Sequence, residues 1–168
     1  MSGKAIGESF NLGYAGTVSR NNDNIIISKA VKSEEEILFG QAVALEDDNT
    51  VRVVKEGDTS DKFIGIAVRE VKQAINYYDN AGGYLANDNV DILTRGTITV
   101  KCNHGTPKAG ENVYLRIKEN SDIVNGIVGE FEAEADGENT ILLENVKFTT
   151  GQIDNNNITE IVILTRNI

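Results

Sequence analysis

Few side chains in this sequence have the type and spacing that turnover requires. Among 168 residues, His104 is the sole histidine and Cys102 the sole cysteine. A catalytic triad would therefore need His104 as its base, and Cys102 is the one thiol that could be activated. His104 lies in the polar 103–110 turn, where a solvated side chain is the ordinary outcome. Cys102 shares the parity of Ile98 and Val100 and reads as a small buried hydrophobe rather than an activated thiolate. Paired carboxylates hydrolyse glycosides, yet with 26 acids in the chain any pair is selectable and none is specific. Asp154-Asn155-Asn156-Asn157, and Asp88-Asn89 with Asp91, supply oxygen ligands suited to calcium. Neither has the EF-hand spacing, and both read as solvated turns. Gly82-Gly83-Tyr84 lacks the Lys-Ser/Thr ending of a phosphate-cradling loop. No catalytic residue, cofactor-binding residue or metal ligand is assigned.

Binding is better represented than chemistry. Tyr77, Tyr78 and Tyr84 concentrate aromatic surface in a glycine-bearing stretch. Tyrosines so placed can stack a sugar or anchor a protein contact with little loss of rotamer entropy, or they can pack on the domain itself. Near the N-terminus, Ile6, Phe10, Leu12, Tyr14 and Val18 are spaced among glycines and serines with no sustained period, ending in Asn21-Asn22-Asp23-Asn24. Such a segment is either a floppy end or an arm that orders against a partner, with its apolar residues as anchors. The candidate contact residues are thus Ile6, Phe10, Leu12, Tyr14, Tyr77, Tyr78 and Tyr84.

The elements that must position them are strands. Ile25-Ile26-Ile27 is a β-branched run, and the segments 42–45 and 50–54 flank Glu46-Asp47-Asp48-Asn49 as a hairpin would. In 63–71, Ile64, Ile66 and Val68 alternate onto one expected face. The clearest signal is in residues 90–102. There Val90, Ile92, Thr94, Ile98, Val100 and Cys102 keep one parity, with Gly96 where a bulge or corner bend belongs. Val113, Leu115 and Ile117 alternate again. Asp136-Gly137 between 131–135 and 140–143 predicts a second hairpin, and 158–165 reads as a strand covered on both faces. Ser33 to Glu36 has capping-box spacing, but Gly40 allows a turn or two of helix at most. Residues 70–78 suit either a helix or a long loop. The expected architecture is all-β: a compact antiparallel barrel or jelly-roll-like sandwich with an extended N-terminal arm. The division is a flexible arm over 1–24 and a single β domain over 25–168.

Composition removes further classes. The net charge of −10 repels phosphate backbones, so a nucleic-acid partner is disfavoured. No apolar h-region follows Lys4, and the run Ile161-Val162-Ile163-Leu164 is far below the roughly 20 residues of a spanning helix. A membrane partner is not expected either.

The stretches Phe63-Ile64-Gly65-Ile66-Ala67-Val68-Arg69-Glu70-Val71, Asp91-Ile92-Leu93-Thr94-Arg95-Gly96-Thr97-Ile98-Thr99-Val100 and Thr106-Pro107-Lys108-Ala109-Gly110-Glu111-Asn112-Val113-Tyr114 resemble the structural cement proteins of tailed phages, which decorate capsids. The later Asn145-Val146-Lys147-Phe148-Thr149-Thr150-Gly151 and Glu160-Ile161-Val162-Ile163-Leu164-Thr165 are similar too, and the likeness runs in order from about Val18 to the C-terminus. The resemblance implies a barrel- or jelly-roll-like β protein in the virion, on the outer capsid surface. It also implies synthesis in the host bacterial cytoplasm and bridging of adjacent major capsid protein subunits as a homo-oligomer, dimer or trimer. It brings no catalytic residues and no cofactor. Two other classes are compatible with the same residues: a tail-tube or baseplate structural protein, and a carbohydrate-binding, adhesin-like module built on the tyrosines.

Overall fold

A computed structural model describes residues 11–70 and 82–167. The protein is all-β, and no α-helix occurs among the described residues. Eleven strands among them run in chain order: β1 (Val18–Ala30), β2 (Ile37–Leu38), β3 (Ala42–Leu45), β4 (Val51–Val53), β5 (Phe63–Ala67), β6 (Gly83–Tyr84), β7 (Asn89–Lys101), β8 (Asn112–Arg116), β9 (Phe131–Glu132), β10 (Thr140–Ile153) and β11 (Ile158–Ile163). Nine form one antiparallel sheet in the order β4-β3-β5-β7-β11-β10-β8-β9, with β1 on the remaining edge of β7. β2 and β6 form a separate two-stranded ribbon. The large sheet curls into a half-barrel.

β7 is the spine. On one edge it pairs with β1 from Asn89 to Ile98. On the other it serves β5 at Ile92 and Leu93, then β11 from Gly96 to Lys101. The long alternating run is therefore one strand, as its parity predicts, but it does not keep one face. Val90 and Ile92 join a core with Val31, Ile37, Val43, Val51, Ile64, Ala67 and Tyr84. Ile98, Val100 and Cys102 join a larger core with Phe63, Ile66, Leu115, Phe131, Phe148 and Ile161. The changeover falls at the bend that Gly96 allows: its φ is +120°, and a Cβ there would strike the side chain of Asn24.

Four expectations are corrected. Ile64 and Ile66 do not share a face: a register shift opposite β3 adds a residue to β5, so Ile66 and Val68 line the larger core and Ile64 the smaller one. The strand at the N-terminus begins at Val18, not at residue 25, and the asparagine tract is the bulge by which β1 passes Gly96. No helix follows Ser33; Glu34 takes φ +71° and the chain turns into β2. Asp136-Gly137 does not close a hairpin. β9 and β10 flank β8 on opposite sides, and Asp136 leads a 3-10 turn over Gly137–Asn139 that carries the chain across.

The 42–54 hairpin forms as predicted, with Leu45 opposite Val51 and Asn49 at φ +67° in its turn. β11 is buried on both faces between β7 and β10. At the far end of the half-barrel, a bridge between Val31 and Val51 and the bond from Lys32 N–H to Val51 O (2.8 Å) tie the end of β1 to β4.

Candidate contact surface

The segment 12–17 is laid onto the sheet by backbone bonds. Leu12 N–H donates to Asp154 Oδ2 (3.0 Å), Gly16 N–H to Thr99 O (2.7 Å), and the Thr99 hydroxyl to Tyr14 O (2.6 Å). Arg69 N–H donates in turn to Gly16 O (2.7 Å). Gly16 is the knot where three segments meet. At φ +82°, a Cβ on it would lie 2.8 Å from Gly40 N and 2.9 Å from Ala67 O.

Above this knot opens a groove of about 430 Å³. Its walls include Tyr14, Leu38, Phe39, Arg69, Lys101 and Ile158. The Arg69 guanidinium lies between two rings, 4.5 Å from the centroid of Tyr14 and 5.4 Å from that of Phe39. Phe39 meets Tyr84 edge-on at 5.4 Å. The stack Tyr14–Arg69–Phe39–Tyr84 thus runs from solvent to core: Tyr14 is 66% exposed and Tyr84 fully buried. Leu38, at 40% exposure, adds apolar surface to the rim. Lys101 Nζ stands 3.7 Å from Glu130 Oε1, which also lines the groove. Flat rings, an apolar rim and a stacked cation make a surface for holding a partner.

The chemically suggestive residues are not brought together as a nucleophile–base pair. Burial pushes the Cys102 thiol up to about 11, and its Sγ–H points at the backbone carbonyl of His104, 3.6 Å away, not at the imidazole. His104 Nδ1 is 3.7 Å from Glu132 Oε2, beyond hydrogen-bond reach. Both Asp154 oxygens are consumed by backbone N–H groups, of Leu12 on one side and of Asn156 and Ile158 on the other.

A family model described as structural cement protein (E217 gp24/Pam3 gp6) matches residues 3–164. The chain belongs to that family. No curated protein matches this cement protein significantly. Among solved structures, a chain of the capsid of Myoviridae phage XM1 is similar at a TM-score of 0.68 and 15% identity, over 95% of this chain and 94% of that one. At that identity the likeness is one of fold.

Within this cement protein the sequence-derived contact residues separate. Leu12 and Tyr14 sit on the segment beside the groove, Leu12 half-buried and Tyr14 exposed. Tyr84 is a correction: it is a core residue, its O–H donating to Val68 O at 2.6 Å, and burial raises its phenol above the ordinary range. Its side chain offers no surface to a partner. Ile6, Phe10, Tyr77 and Tyr78 lie outside the described residues. Sequence reasoning passed over Phe39 and Arg69, because a single aromatic beside Gly40 and a single cation after a strand carry no periodic signal.

It also passed over a buried clasp behind the surface. Arg116, fully buried, forks onto Glu132 and reaches Asp136 Oδ2 at 2.9 Å and Lys118 O at 3.0 Å. Hydrogen bonds from Asn120, then from Arg116 and Asn139, hold the Asp136 carboxyl below its ordinary value despite some desolvation. Gly126 lies against the guanidinium, so the 117–130 loop is folded over this charge.

Proposed function

We propose that this protein decorates the outer surface of a phage capsid and cements it by bridging adjacent major capsid protein subunits, working as a homo-oligomer, a dimer or trimer. The observation that carries the reading is membership of the structural cement family along residues 3–164. The net charge of −10 supports an outer position, since a DNA-filled interior would repel it. Within the chain, the groove at Tyr14, Arg69, Phe39 and Leu38, with Leu12 beside it, is the capsid-facing contact, and Ile6, Phe10, Tyr77 and Tyr78 are further candidate contact residues.

The mechanism is linkage. A protein that binds the assembled lattice and not the free subunits stabilises the lattice by RT ln(1 + [L]/Kd) per site. A dimer or trimer that touches several subunits gains effective concentration from its first contact, so each groove contact need be only modest. No bond is made or broken.

Cryo-microscopy of whole particles tests the reading directly. Density for this chain on the outer shell at fixed stoichiometry, with heads that rupture at lower heat or osmotic stress when it is missing, is the expected result. Density confined to the tail or baseplate, or heads equally stable without it, overturns it. Binding in a glycan array with no binding to heads would move the protein to the carbohydrate-binding class. For the groove, Arg69→Ala and Tyr14→Ala are expected to lower occupancy on heads while the far-ultraviolet dichroism stays that of a β protein; unchanged occupancy removes the groove from the interface.

A further inference from the structure

Arg20, Arg52, Arg95 and Arg116 each hold a carboxylate. Arg69 holds none among the described residues, although the chain carries 26 acids against 16 bases. Two rings, Tyr14 and Phe39, fix its guanidinium in place, and its side-chain N–H donors meet no acceptor among the described residues. The groove that it lines is locally cationic. Lys101 is the second cation. The one carboxylate among the described lining residues, Glu130, is buried and already taken by Asn103 Nδ2 and Lys101. In a chain of net charge −10 this inverts the sign of the surface, so the groove favours an anion. The neighbouring backbone narrows the kind of anion. The N–H groups of Leu12, Gly13, Gly16 and Arg69 already donate, to Asp154, Asn11, Thr99 and Gly16. They form no nest for the three oxygens of a phosphate, whereas a single planar guanidinium matches the two oxygens of a carboxylate.

We propose that the groove takes a carboxylate side chain carried on an extended segment of a partner protein. Arg69 holds the carboxylate, and an apolar neighbour in the same segment lies against Tyr14 and Leu38. The exposed ring of Tyr14 and the exposed part of Leu38 supply that apolar contact beside the charge. The groove volume of about 430 Å³ falls in the range of ligand sites, about 300–1,000 Å³, and suits a short segment. The rings supply preorganisation: an arginine already held by Tyr14 and Phe39 loses little rotamer freedom when it binds. Lys101 adds attraction at longer range without a fixed geometry. The inference names the partner chemistry of the capsid-facing groove and rests on that reading.

The first test uses the purified full chain without capsids, so its failure and that of the capsid assignment are read separately. The probe is a capped pentapeptide with one glutamate between a phenylalanine and a leucine, titrated while nitrogen-15 shifts are followed. Saturable shifts at Tyr14 and at the Arg69 side-chain N–H are expected at millimolar peptide. The glutamine counterpart, and the glutamate peptide on Arg69→Gln, should bind at least about tenfold more weakly. Arg69→Lys keeps the charge and loses the fork, so it should retain only part of the affinity. Arg166→Gln, at an exposed arginine near the C-terminus, should bind as the parent does. The second test uses purified heads. There carbodiimide is expected to join the amine that Arg69→Lys supplies to a carboxylate of a head protein, located by mass spectrometry. No shift at millimolar peptide, equal binding of the glutamine counterpart, or an Arg166→Gln loss as large as that of Arg69→Gln overturns the proposal. So does the absence of a cross-link at position 69 on heads that carry the variant. Binding of the phosphoserine counterpart alone overturns it in favour of a phosphorylated segment.

Discussion

The two ends of the curled sheet are finished in opposite ways. At β8 and β9 the edge is short and backed by a charge buried behind it: Arg116 and Glu132 are 0% and 1% exposed, and a loop is folded over them. At β1 the edge is long and, among the described strands, open but for the Val31–Val51 bridge at its end, and its ion pairs, Asp23 with Arg95 and Arg20 with Glu160, are partly in solvent. The contrast separates charges the fold needs from charges it can spare. Charges at the closed end cannot be removed singly, because the survivor would be stranded without water. Charges at the open end cost the monomer little to change.

The sharpest way to break that contrast is to strand the buried cation. Glu132→Ala is expected to lower unfolding free energy in urea by about 3–5 kcal/mol, and replacing both partners, Arg116→Met with Glu132→Leu, by much less. Asp23→Asn at the open edge should stay within about 0.5 kcal/mol. A loss below about 1 kcal/mol for Glu132→Ala would erase the distinction between the ends.

A second clasp extends the comparison to pH. Arg52 forks onto Asp58 at 2.7 and 2.8 Å and also holds Glu46. Burial works against ionisation of Asp58, but the bonds from Arg52 and from Lys55 N–H prevail and hold its carboxyl below the ordinary 3.8. A depressed folded value stabilises fully above that ordinary value and ceases to stabilise as pH falls through the lowered one. Thermal midpoints should therefore be flat above about pH 5 and drop below about pH 4, with Asp58→Asn showing a shallower drop. A variant that follows the parent curve would exclude this clasp as a source of acid sensitivity.

The two tyrosines on either side of Phe39 and Arg69 give the smaller effects. Tyr84→Phe leaves Val68 O without its donor in a buried place and should cost about 1–2 kcal/mol in urea. Tyr14→Ala should change stability by no more than about 0.5 kcal/mol. If the two variants were equally destabilising, the distinction between core and contact tyrosine would fail.

How much of this was legible depends on range. Alternation in 90–102 and at Val113, Leu115 and Ile117, the bend at Gly96, the 42–54 hairpin and the burial of Cys102 and β11 are local, and the side-chain period reveals them. Partner choice is not local. Nothing within 131–143 tells β9 to add to β8 rather than to β10, so a good turn dipeptide predicts a hairpin that does not form. Likewise Arg116, an ordinary polar position by parity, is buried only because a loop some ten residues later covers it. Of the contact surface, Tyr14 was anticipated from its type and spacing. Phe39 and Arg69 were not, since their meeting depends on three segments knotted at Gly16.

The double service of β7 has a mechanical consequence. A load applied along its axis must break the rungs to β1 and to β5 or β11 in shear, many together, whereas a load across the sheet peels them one after another. A shell under outward pressure is thus best restrained by a molecule mounted with this strand parallel to the seam-opening direction.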